Sequence, residues 1–249
     1  MWGWSPNFRR YGRTNRRPVV AAPPLCQLKS AKTQSLPPTR SFHTRAPFMT
    51  NATPGKRQAA VQRKTGETEV KLSVDLDGSG AGVRNSGIGF LDHMLDLFAK
   101  HSMIDITVEA KGDLHVDDHH TSEDIGIVLG SAINQALGDR CGMRRYGHCI
   151  LPMDECLVTS AVDMGGRYAF EYRAPISANK IGTFDSELIE HFWQSFTSNA
   201  KCNLHVMLHH GRNAHHIAEC VFKATARAVR MAIESDPRQG SIPSTKGVL

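Results

Sequence analysis

Twelve of the thirteen histidines in this 249-residue chain lie between His93 and His216. Their spacing says more than their number. His119-His120-Thr121-Ser122-Glu123 and His215-His216-Ile217-Ala218-Glu219 are two copies of a His-His-x-x-Glu motif, each preceded by a lone His on an apolar stretch, His93 and His191. On a helix, His119 and Glu123 are four residues apart and His120 and Glu123 three, so both pairs share a face. Adjacent side chains diverge by about 100° on a helix, so His119 and His120 suit two different ions. The set His93, His119, His120, Glu123, His191, His215, His216 and Glu219 divides evenly into two sites of three imidazoles and one carboxylate. Such donors suit Mn, Fe, Zn, Ni or Co rather than Mg or Ca. Four protein ligands leave two positions on an octahedral ion for substrate or water, but would close a tetrahedral zinc site. Asp92, Asp117, Asp118 and Asp124 flank the motifs and are expected to orient imidazole N–H groups. His115 and His205 read as packing residues on strands and His148 as structural, while His209 and His210 stay unassigned.

These side chains need elements to hold them. Val70, Leu72, Val74 and Leu76 alternate with polar residues, which predicts a half-buried strand. Asp77-Gly78 supplies a turn, and the glycines at 78, 80 and 82 lack the context of a dinucleotide loop. Leu91, Leu95 and Phe98 fall on one helical face, Met103–Ala110 alternates again, and Ile125, Leu129, Ala132, Ile133 and Ala136 predict a longer helix from His119. The order then recurs. Ile189–Phe196 mirrors Leu91–Phe98, and Leu204-His205-Val206 mirrors Leu114-His115-Val116 with a slight change of place. The body is thus expected to be two strand–helix–strand–helix units, about 67–155 and 156–249, forming an α+β sandwich of two layers.

Bulk composition narrows the rest. Residues 1–66 hold 13 Lys plus Arg and no acid, which leaves 17 basic and 24 acidic residues after them, a balance of −7. Eight of the twelve prolines also fall in 1–66, which reads as a disordered basic extension. It suits a transit peptide, a nucleic-acid-binding tail, or a dispensable segment ahead of a true start at Met49. No apolar run approaches the ~18–20 residues that span a bilayer. Six cysteines without a Cys-x-x-Cys pair read as reduced thiols in a reducing compartment.

Several long motifs carry a resemblance: Gly87–Met94, Gly112–Asp124, Leu151–Glu155, Gly211–His216 and the terminal Pro243–Leu249. From about Arg63 onward the chain resembles the imidazoleglycerol-phosphate dehydratase family of histidine biosynthesis. The resemblance implies a duplicated fold like ribosomal protein S5 domain 2. It also implies two Mn ions per active site and a homo-oligomer built from trimers into 24 subunits, with sites between subunits. The family reaction removes water from imidazole glycerol phosphate to give imidazole acetol phosphate. The proton lost is not next to a carbonyl, so another electron sink is needed, and metals on the substrate ring nitrogens would supply it. By resemblance Glu67 is the candidate acid/base, with Glu219 as rival. By its own context Glu67 reads as a solvated strand-edge acid. Arg145, Arg167, Lys223, Ser244, Thr245 and Lys246 match phosphate contacts, and His101 lies near the substrate. The expected partner is then one phosphate group rather than nucleic acid or membrane, in a cytoplasmic protein, or an organellar one if 1–48 is a transit peptide. Two other readings of the residues stay open: a dinuclear metallohydrolase, and a His-rich metal-storage protein.

Overall fold

The computed structural model describes residues 56–247 and Leu249. The readings of the extension therefore lie outside the described residues as far as residue 55. From there on they need correcting. Gln58–Lys64 forms strand β1, antiparallel to β2 (Thr68–Asp75), so order begins before the expected boundary near Thr65. The strand is hard to see in the sequence because Gln, Arg and Lys fill its outer positions and only Ala59 and Val61 face inward. Its charges are structural. Arg57 pairs with Asp77, Lys64 with Glu69 at 2.9 Å, and Arg63 with Asp124 at 2.8 Å.

The first half continues with a short strand β3 (Arg84–Asn85), helix α1 (Gly89–Ser102), β4 (Asp105–Gly112) and α2 (His119–Ala136). The second half repeats it as β5 (Tyr146–Met153), β6 (Cys156–Asp163), β7 (Ala169–Arg173), a small hairpin β8 (Lys180–Ile181) and β9 (Phe184–Asp185), α3 (Leu188–Ala200), β10 (Asn203–His210) and α4 (Ala214–Ile233). The two four-stranded sheets have the same order, β1-β2-β4-β3 and β5-β6-β10-β7. Each sheet therefore has two strands more than the expected unit, and the second half adds the β8–β9 hairpin. The halves divide between α2 and β5 rather than at 155/156, because β5 belongs wholly to the second sheet. The match of Leu204-His205-Val206 to Leu114-His115-Val116 also fails. Leu114–Val116 is a turn, whereas β10 corresponds to β4, whose Ile106 and Val108 are buried around an outward Thr107.

The α+β class is as expected. Each half is a two-layer unit of one sheet under a helix pair, and the halves meet through their helices. Helix α2 packs on β1 and β2 and against α3, while α4 packs on β5 and β6 and against α1. The helix layer is filled by Phe98, Trp193, Phe196, Phe192 and Phe222, with ring centroids 4.8–6.1 Å apart. Each such apolar side chain stabilises the fold by roughly 1.5–3 kcal/mol when fully buried. Close approach of α2 to α3 requires glycine. A Cβ on Gly130 would lie 2.3 Å from the Phe196 carbonyl oxygen, and one on Gly126 2.7 Å from that of Phe192. The glycine-rich loop is the expected turn, with Asp105 Oδ1 accepting from the Ser79 and Ala81 N–H groups, each at 2.7 Å.

Candidate metal centre and substrate site

Both His-His pairs sit at helix starts, fixed there by local hydrogen bonds. Asn213 Oδ1 accepts from the backbone N–H groups of His215 and His216, a side-chain cap on α4. At α2 the N-cap residue Asp118 makes no side-chain cap, and the residue before it, Asp117, accepts from His119 N through Oδ1 at 2.8 Å.

The helix pairing then joins the motifs crosswise. From α1 comes His93 and from α4 come His215 and Glu219, with one donor atom of each within 4.8 Å of the others. From α3 comes His191 and from α2 come His119 and Glu123. The His119 and His191 rings are 4.9 Å apart, and Glu123 lies one turn beyond His119. Among the described residues only the first trio closes so tightly. The lone His of each repeat thus meets the His-x-x-x-Glu of the other.

His120 and His216 join neither trio. The His119 and His120 rings are 6.1 Å apart at 72°, and those of His215 and His216 6.4 Å apart at 89°. Each outlying imidazole is held through Nδ1 by a carboxylate. Asp113 Oδ2 lies 3.0 Å from His120 and Glu155 Oε2 2.8 Å from His216, and among the described residues neither Nε2 makes a hydrogen bond, although Asp154 lies 3.8 Å from that of His216. These hydrogen bonds raise both imidazole pKa values, and the same bonds pull Asp113 and Glu155 below the usual carboxylate range.

The four flanking aspartates do not orient imidazoles. Asp92 accepts from the Ser86 N–H, Asp117 accepts from the His119 backbone N–H, Asp118 makes no side-chain cap, and Asp124 is buried against Arg63 and Thr68. The side chains that do this work, Asp113 and Glu155, stood inside recognised motifs. Only the proximity created by the fold distinguishes them. His115 and His205 are both exposed rather than packed, and so is His148. His209 meets Thr159 Oγ1 at 2.7 Å and His210 the Glu155 carbonyl oxygen at 2.9 Å.

Glu67 stands in the β1–β2 turn, exposed, with Oε2 3.8 Å from His120 Nδ1. The expected phosphate contacts fall into two groups. Arg145 donates from Nε and Nη2 to Asp163 at 2.7 and 3.0 Å and from Nη1 to the Pro243 carbonyl oxygen at 2.9 Å. Three of its five N–H groups are thus engaged, and they tether the segment that carries Ser244, Thr245 and Lys246. Ser244 is half-buried, while Thr245, Lys246 and Arg167 are exposed. Lys223 lies instead on the first trio, 2.6 Å from Glu219 Oε1. Burial raises the Glu219 pKa, but the Lys223 ammonium and the nearby His93 and His215 outweigh it, so the carboxyl sits below its ordinary value. His101, at the end of α1, has its pKa lowered by burial and by the charges of Lys223 and Arg227.

This arrangement can be compared with known proteins. The family model described as imidazoleglycerol-phosphate dehydratase matches residues 86–229. A relative of that name from Rhodopirellula baltica is 80% identical over 193 residues, covering 78% of this chain and 96% of its own length. The chain belongs to the imidazoleglycerol-phosphate dehydratase family. A family member from Granulibacter bethesdensis is 55% identical over 194 residues, covering 78% of this chain and 99% of its own. The crystal structure of imidazoleglycerol-phosphate dehydratase from Staphylococcus aureus aligns with a TM-score of 0.66 at 38% identity, over 72% of this chain and 99% of that one. A Pyrococcus furiosus structure, in complex with (S)-C348, aligns with the same score at 32% identity, over 76% and 99%. For this dehydratase family member, both His-His-x-x-Glu motifs fall within the matched segment.

Proposed function

We propose that this chain dehydrates imidazole glycerol phosphate to imidazole acetol phosphate, a step of histidine biosynthesis, using two Mn ions per active site. One observation carries the metal part: the His93–His215–Glu219 trio, whose donors gather closely enough for one ion to touch all three. Its imidazole–carboxylate chemistry fits Mn. His119, His191 and Glu123 would hold the second ion, and His120 and His216 would complete the two sets. When bound, the ions supply Lewis acidity that stabilises negative charge on the substrate ring.

The chain's own residues supply the rest. Glu67 is the carboxylate that can take the C–H proton and return it to the departing hydroxyl. It is exposed beside His120 and accepts no hydrogen bond among the described residues. Glu219 fits the role poorly, because Lys223 already occupies one oxygen and His215 lies 3.4 Å from the other. Arg145, Arg167, Lys223, Ser244, Thr245 and Lys246 would bind the phosphate by charge-assisted hydrogen bonds. His101, beside Lys223, would act as a hydrogen-bond partner of the substrate.

The active form is a homo-oligomer, trimers assembling to 24 subunits, with sites shared between neighbours. His120 Nε2, which has no hydrogen-bond partner among the described residues, supports this. A cytoplasmic location suits the five described cysteines, all free thiols. N-terminal sequencing of the mature protein tests it, since a start near Met49 agrees and a trimmed start elsewhere points to import.

The deciding assay incubates the full chain with imidazole glycerol phosphate and Mn2+ and measures imidazole acetol phosphate. No product at verified metal occupancy and assembly would overturn the reading. A metal-storage protein would tolerate loss of Arg145, Arg167 and Lys246, whereas the dehydratase would not.

A further inference from the structure

The two halves treat their outlying histidines differently. The β1–β2 and β5–β6 hairpin turns occupy the same place in matching sheets. Each carries a glutamate that faces Nδ1 of the second His in its own half, Glu67 towards His120 and Glu155 towards His216. Between β5 and β6 only Asp154 and Glu155 separate the last paired residues, Met153 and Cys156. This tight turn brings Glu155 to 2.8 Å from Nδ1, and its other oxygen accepts from Arg212 N and Asn213 N at 3.2 and 2.8 Å. Between β1 and β2 the last pair is Lys64 and Glu69, with four residues between them. The longer turn leaves Glu67 3.8 Å from Nδ1.

In the first half a different carboxylate makes the bond. Asp113, in the β4–α2 loop, reaches His120 Nδ1 at 3.0 Å, and its other oxygen is buried without a partner. The matching loop of the second half, Gly211–Asn213, contains no carboxylate. At Nδ1 the first half therefore has two carboxylates and the second has one, Asp154 of the β5–β6 turn lying on the other side of the ring, 3.8 Å from His216 Nε2.

We propose that the duplicated halves have divided this work: Asp113 and Glu155 are the positioning residues that fix His120 and His216 for metal, and Asp113 releases the turn glutamate Glu67 to act on the substrate. The inference rests on the dehydratase reading given above. A carboxylate on the far nitrogen of a metal-binding His fixes the ring's tautomer and direction, and its loss typically weakens metal affinity by about 10–100-fold.

The test titrates the metal-free full-length protein with Mn2+ and follows free Mn2+ by its EPR signal. Wild type should show two equivalents per chain. Asp113→Ala should weaken one equivalent by about 10–100-fold, Glu155→Ala one equivalent by a similar factor, and the double variant both. Asp113→Asn keeps an acceptor and should recover part of the loss. Glu67→Gln should leave both equivalents as in wild type while turnover falls. The inference is overturned if Asp113→Ala binds both ions normally, if it weakens both equally as general unfolding would, or if Glu67→Gln weakens an ion as Glu155→Ala does. A wild-type chain that binds no Mn2+ would sink the dehydratase reading itself.

Discussion

At the residue scale, chemistry was legible wherever it was written as a repeated pattern. Two His-His-x-x-Glu copies, each preceded by a lone His, exposed all eight expected ligands in the sequence. The crosswise trios then depended on which helix lies against which, and no local spacing reports that. Asp113 is seven residues from His120 but Glu155 is 61 from His216, so only the fold pairs them. His101 shows the same dependence, because its environment is set by Lys223 and Arg227 on another helix. Burial first, and then these two cations, lower its pKa below the ordinary 6.5. The unfolded chain therefore takes up this proton more readily than the folded one, and stability falls as pH drops through about 6.5 towards the folded value. His101→Gln removes this term. Urea midpoints measured at pH 7.5 and 5.5 should fall less in the variant than in wild type, and equal falls would refute the assignment.

At the element scale, the helices and the strands β2 and β4 followed from apolar periodicity, since α1 to α4, β2 and β4 each bury one clear face. The strands β1 and β5 did not. Each lies at the edge of its sheet, where one neighbour is enough and polar side chains are tolerated. Pro152 and exposed Ile150 further disguise β5. The α2–α3 contact was also hidden, because its signal is an absence of side chains at Gly126 and Gly130. Gly130→Ala tests how much this contact matters. Its Cβ would meet the Phe196 carbonyl oxygen at 2.3 Å and Ala200 N at 2.8 Å, both backbone atoms that cannot swing aside. Overpacking of this kind costs about 1–3 kcal/mol. Since α2 and α3 carry His119 and His191, forcing the helices apart should also weaken one Mn2+ equivalent and spare the His93–His215–Glu219 set. A denaturation midpoint and Mn2+ titration matching wild type would show that the helices can shift freely.

At the scale of the whole molecule, the charge balance changes meaning once Lys56, Arg57, Arg63 and Lys64 are assigned to the domain. The −7 of residues 67–249 becomes −3 for residues 56–249, and the +13 ahead of it becomes +9 for residues 1–55. Arg63 binds the buried Asp124 beside Glu123, so part of what read as an address signal supports helix α2. The larger consequence concerns assembly. On the proposed two-site reading each trio would supply three ligands, while the third imidazole of each set, His120 or His216, is turned from its neighbour by the helix and held by its own carboxylate. On that reading an ion with three ligands from one chain would gain its fourth by bridging to another chain. Metal binding and assembly would then be linked, because anything that binds the assembled state alone stabilises it by mass action. Removing Mn2+ with EDTA should therefore abolish turnover and shift the sedimentation profile to smaller species, and returning Mn2+ should restore both. The expected shift grows with dilution, since a weakened interface dissociates more at low protein concentration. An unchanged profile across a dilution series, after metal loss is verified by elemental analysis, would place all four ligands of each ion within one chain and remove the bridging role of His120 and His216.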